Sequence, residues 1–132
     1  MEQANTKKPF DLEDRLVDFA CSCLRICDLM PNTKAGHNLE HQLSKSGTAP
    51  ALNYGKAQAA ESPDDFIHKL KLVLKELRET RVNLKIIQLK PVVEHPSVQE
   101  TLMVCNQLIA IFLKSIDTAK NNKEQNKRSK PS

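Results

Sequence analysis

Apolar residues recur along this chain at alternating intervals of four and three, in three separate segments. Leu12, Leu16, Phe19, Cys23, Ile26 and Met30 form the first run. Phe66, Leu70, Val73, Leu77, Thr80, Leu84 and Ile87 form the second, and Val98, Leu102, Cys105, Ile109, Phe112 and Ile116 the third. A helix completes a turn in 3.6 residues, so this spacing keeps one side chain per turn on the same edge. One such rod leaves its apolar edge in water, whereas several bury their edges against each other.

Between the first two runs the chain supplies a further helix and a sharp restart. Leu39, Leu43, Ser46 or Gly47, Pro50, Tyr54 and Ala57 lie on one side of a helix starting near Ala35–His37 and ending near Ala60. Gly47, Ala49, Ala51, Gly55, Ala57, Ala59 and Ala60 are small enough to let backbones approach. Pro50 lacks an N–H and crowds the preceding turn, which predicts a kink. Ser62-Pro63-Asp64-Asp65 then reads as a cap, a first-turn proline and a variant capping box.

The other boundaries follow from the same signals. Asp11 caps helix 1, which is expected over Leu12–Met30 and ended by Pro31-Asn32; helix 3 is expected over Pro63–Gln88. Helix 4 starts at Ser97, boxed with Glu100. Matched seams of about 20–26 residues would span about 30–39 Å at 1.5 Å per residue. The expected fold is all-α, an antiparallel up-down-up-down four-helix bundle with a kinked helix 2. It would occupy residues 10–119, between a flexible N-terminus at 1–9 and a basic disordered tail at 120–132.

A chain of 132 residues is one domain with room for a single core. It has no run near about 18 uncharged apolar residues, so no membrane span is expected. MEQANTKKPF at the start lacks the apolar stretch of a secretion signal, and Cys21, Cys23, Cys27 and Cys105 are expected as reduced thiols, both pointing to the cytoplasm. The net charge of +4 resides in the last thirteen residues, where Lys120, Lys123, Lys127, Arg128 and Lys130 face only Glu124. The remaining 15 basic and 15 acidic residues cancel.

Several motifs bear on chemistry. His37-Asn38-Leu39-Glu40-His41 matches H-x-x-E-H, two imidazoles one turn apart with a carboxylate base. A zinc site needs a third ligand, and only isolated candidates such as Glu61 or Glu94 exist, so a solvated first turn explains it better. The cysteines lack paired C-x-x-C spacing and are expected as small buried hydrophobes. With no glycine-rich phosphate loop, nucleophile elbow or carboxylate pair, neither catalysis, a cofactor nor a metal is expected.

Helix 3 is charge-segregated. Lys71, Lys75, Arg78 and Lys85, with Arg81 beside them, give a broad cationic face, while Asp65, Lys69, Glu76 and Glu79 lie on another. Such a stripe suits a polyanion. It could equally be a solvated face or the complement of acidic helix 1 with its Glu13, Asp14 and Asp18. Aromatic content is 4%, so base stacking is scarce and binding to RNA or DNA would run through the backbone. Asn53 and Tyr54, polar members of a small-residue face, are candidates for a pair that sets register or for ordinary core satisfaction.

Gln42-Leu43, Ser46-Gly47-Thr48, Asn53-Tyr54, Ala57–Ser62 and the DFIHKLK-x-x-LKE-x-x-ET run over Asp65–Thr80 together resemble the four helix bundle protein family, also called the ribosomal S23 or 23S rRNA intervening-sequence protein family. The likeness extends over about residues 10–118 by helical periodicity. The chain departs from it at Pro50, Leu52, Gly55 and Lys56, and at Asn83, where an aromatic is common. The resemblance implies a homo-oligomeric ring, a pentamer, of four-helix bundles. One similar branch, the accessory variability determinant of diversity-generating retroelements, is a basic pentamer that binds nucleic acid and a reverse transcriptase. The expected function is therefore a non-enzymatic oligomeric scaffold that binds nucleic acid through Lys71, Lys75, Arg78, Arg81 and Lys85, serving a reverse transcriptase or linked to rRNA. The alternative is a structural or protein-interaction module without nucleic-acid affinity.

Overall fold

The computed structural model describes residues 11–129, which form four α-helices. Helix α1, Leu12–Cys27, begins where Asp11 accepts a hydrogen bond from the Asp14 N–H at 2.9 Å, and Glu13 and Asp14 complement its positive end. It stops three residues short of the expected Met30. The Leu29 and Met30 N–H groups turn back to Ile26 and Cys27 carbonyls, a tightening that ends the helix ahead of Pro31.

Helix α2, Lys34–Gln58, is capped by Thr33, whose hydroxyl accepts from the Gly36 N–H at 3.0 Å. It passes through buried Pro50 as one element. A Cβ on Gly36 would lie 2.2 Å from the Pro31 carbonyl oxygen, so the connection from α1 closes only over glycine there. Gly47 serves packing: a Cβ would sit 2.7 Å from Cys23 Cβ and 2.8 Å from its sulfur, so α1 and α2 approach over a missing side chain. Ala57 is also buried, but Gly55 faces open space and brings nothing closer.

Helix α3, Pro63–Leu89, starts as expected, with Ser62 accepting from the Asp65 N–H at 3.0 Å. The Asp65 carboxylate meets Lys69 at 2.7 Å one turn on. Helix α4, Pro96–Ser129, differs at both ends from expectation. His95, not Ser97, caps it: its Nδ1 accepts from the Ser97 N–H at 3.1 Å, while the Ser97 hydroxyl lies 2.9 Å from the same nitrogen. At the other end the helix continues through the basic segment assigned to a tail. Ala119 still packs on the core, and Lys123 is half-buried and ion-paired with Asp64 at the start of α3. The N-terminal segment 1–9 and the last three residues lie outside the described residues.

The helices pack in cyclic order, α1 on α2, α2 on α3, α3 on α4, with α1 and α4 closing the ring more lightly. Partners run in opposite senses along α3 and α4. From Gln88 through Leu77 to Asp64 on α3, the α4 partners advance from Gln99 through Cys105 to Lys123. The seams meet inside: Leu16, Phe19, Cys23 and Ile26 from α1 join Leu43, Leu70, Leu77, Leu84, Ile87, Leu108 and Phe112. At about 1.5–3 kcal/mol for each large apolar side chain removed from water, this cluster holds the fold. The four helices have 16, 25, 27 and 34 residues, so the expected equal lengths do not hold. Helix α4 is long and apolar enough by length and composition to cross a membrane, but its apolar edge of Val98, Cys105, Leu108, Phe112 and Ile116 is core.

Candidate nucleic-acid interface

Where α2 and α3 lie side by side, their outer surfaces enclose an open groove of about 1030 Å³. Lys71, Lys75 and Arg78 line it from α3, one per turn, and all three are exposed. Lys45 adds a fourth cation from α2. Its place follows from the register: the Asn83 side-chain amide donates to the Ser46 hydroxyl at 3.1 Å, in the buried seam between α2 and α3. That bond sets the residue before Ser46 beside the α3 cations. Sequence reasoning missed Lys45 because its approach depends on this pairing of helices, although the unusual Asn83 was visible.

Three of the five expected cations line the groove. Arg81 is half-buried and its charge reaches Cys105, on the α4 side; neither it nor exposed Lys85 lines the groove. Glu76 and Glu79, assigned to another face, line the groove with the cations. Burial raises the proton affinity of Glu76, the nearby Glu79 carboxylate raises it further, and Lys75 and Lys45 oppose the shift. Further along α3, Val82, Ile86 and Leu89 are exposed beside Lys85 and Gln88.

Asn53 and Tyr54 are both half-buried. The Tyr54 ring meets Phe112 edge-on at 5.7 Å between centroids, and its hydroxyl bonds to Gln58. A buried side-chain link between helices is made instead by the Ser46–Asn83 pair. His37, Glu40 and His41 are exposed on the first turns of α2, and among the described residues no three His, Cys, Asp or Glu side chains gather to hold a metal.

The thiols are free; Cys21 is exposed and the other three are buried. Burial pushes the Cys23 thiol far up, with Cys105 and Cys27 adding to it. It also raises Cys27 to about 11 and Cys105 to about 12. Cys105 donates to the Leu77 carbonyl at 3.2 Å and Cys27 to the Glu40 carbonyl at 3.5 Å. Protonated and enclosed, these are packing groups rather than nucleophiles.

No protein-family model and no curated protein matches the sequence. Among solved structures, a protein of unknown function from the S23 ribosomal protein family of Bacteroides thetaiotaomicron superposes with a TM-score of 0.74 at 23% identity. The match covers 80% of this chain and 98% of that one. The chain therefore shares its all-α, four-helix fold with a protein of the S23 ribosomal protein family, the architecture that the resemblance over Gln42–Thr80 implied.

Proposed function

We propose that this protein is a non-enzymatic helical scaffold that assembles with copies of itself and holds a nucleic-acid backbone, RNA foremost, along the groove between α2 and α3. The observation that carries this reading is the row Lys71, Lys75 and Arg78 joined across the groove by Lys45. Flexible lysines on exposed turns suit phosphates, and the scarcity of aromatic side chains leaves little for stacking bases. Binding would be insensitive to sequence and steeply weakened by salt, through release of counterions. Arg81, Lys85 and the cations of the last turns of α4 lie outside the groove and act only through the general field. Assembly into a ring, a pentamer by the family likeness, would repeat the groove. It would suit an accessory to a reverse transcriptase or an rRNA-linked role.

Replacing Lys71, Lys75 and Arg78 together with Glu is expected to abolish gel retardation of RNA at low salt while circular dichroism and oligomer size stay unchanged. Retention of binding would remove the groove from the function. A second reading, a protein-interaction module, is favoured by one observation: exposed Val82, Ile86 and Leu89 prolong the cationic row as an apolar stripe. Under it the triple reversal leaves no RNA affinity to lose and breaks the assembly apart.

A further inference from the structure

Two carboxylates in a groove built for phosphates need a reason. Glu76 and Glu79 stand one turn apart on α3, Glu76 just after Lys75 and Glu79 just after Arg78 in sequence, and both line the cavity with the cations. Like charges at this spacing repel along a helix. Glu76 is half-buried, and Glu79 is close enough to accept a hydrogen bond from its protonated form. The other polar groups lining the groove are Lys71, Lys75, Arg78 and Asn83 on α3, and Gln42, Lys45 and Ser46 on α2. No histidine lines the groove; His41 and His68 are exposed on the same two helices outside it.

Building on the nucleic-acid role above, we propose that Glu76 and Glu79 hold one proton between them when the groove is filled, so that the ligand class is a polyanion taken up together with a proton. A phosphate row laid along Lys71, Lys75 and Arg78 brings further negative charge toward the pair. That charge favours the protonated form, and linkage requires the converse: protonation favours the bound polyanion. The sign follows directly. The free groove takes its proton above the ordinary glutamate value of 4.5, and the filled groove takes it at higher pH still. Between those two midpoints affinity rises as pH falls, by up to about tenfold per pH unit for one proton. Above both midpoints the pair stays doubly charged and acts as a brake.

The test measures binding of a fluorescent oligouridylate, which has no group titrating between about pH 5 and pH 8, at constant low salt. Wild-type protein is expected to bind several-fold more tightly at the acid end. The double variant Glu76→Gln, Glu79→Gln is expected to bind more tightly than wild type at the alkaline end and to lose most of the pH slope. Any slope due to His41 or His68 persists in that variant. An equal slope in both proteins overturns the proton-coupled pair while leaving the groove as binding site intact. Absence of wild-type binding at every pH overturns the nucleic-acid role and the coupling with it. Independently of RNA, carbon-13 titration of the free protein should show the Glu76 midpoint falling in Glu79→Gln. An unmoved midpoint overturns the shared proton.

Discussion

Gly47 and Gly55 are the same residue eight positions apart on one helix, and their surroundings assign them opposite values. At Gly47 an added methyl collides with Cys23, so Gly47→Ala must push α1 away and is expected to cost about 1–3 kcal/mol. At Gly55 a methyl meets nothing, and Gly55→Ala should stabilise by about 0.4–1 kcal/mol through helix propensity and a less flexible unfolded chain. Urea denaturation of the two variants measures both, and equal effects would contradict the packing. The thiols give a second test at this scale. Under native conditions a thiol reagent should modify Cys21 rapidly and the other three only as the bundle opens. Mass spectrometry over time should show one adduct, then a jump to four in denaturant. Small residues in α2 were plain in the sequence, but which of them bring helices together was not. That depends on what the neighbouring helix offers at the same height.

At the scale of elements, the helix starts differ in how they are made. Asp11, Thr33 and Ser62 cap through side-chain oxygens three residues ahead of the N–H they receive; Asp11 and Ser62 were readable from sequence, while Thr33 emerges only in the structure. Helix α4 departs from this, because Pro96 opens it and the acceptor is the His95 ring. Thermal melts should show Ser62→Ala and His95→Ala each losing about 0.5–2 kcal/mol, with Ser97→Ala losing less. The reverse order at the α4 start would restore Ser97 as the cap. The 4-3 seams made α3 legible to within a residue at either end, since a long apolar edge bounded by a cap and a proline leaves little choice. The end of α1 and the extent of α4 were less legible. A tight turn preceding Pro31 and an ion pair from Lys123 to Asp64 are tertiary facts. Net charge alone read the last segment as a tail.

At the scale of the whole molecule, charge and apolar surface are distributed around a closed core. The cationic row of α3 was visible in the sequence as a stripe. Its division into groove residues and outlying Arg81 and Lys85 was not, because a stripe becomes a groove only when another helix walls it. The same wall brings Glu76 and Glu79 into the cavity, where they offset part of the charge of Lys45, Lys71, Lys75 and Arg78. Its chemistry can change while the core beneath, sealed by Leu77, Leu84 and Phe112, stays fixed. At the contact of Gly47 with Cys23 that core has no room for a methyl group. The Cys23 sulfur sits against the α2 backbone without space for another atom, so a sulfenic oxygen could be accommodated only by prying the first two helices apart. Oxidants reaching that depth would thus be felt as a loosened hinge between α1 and α2, and protection of this thiol doubles as a gauge of how rarely the bundle breathes.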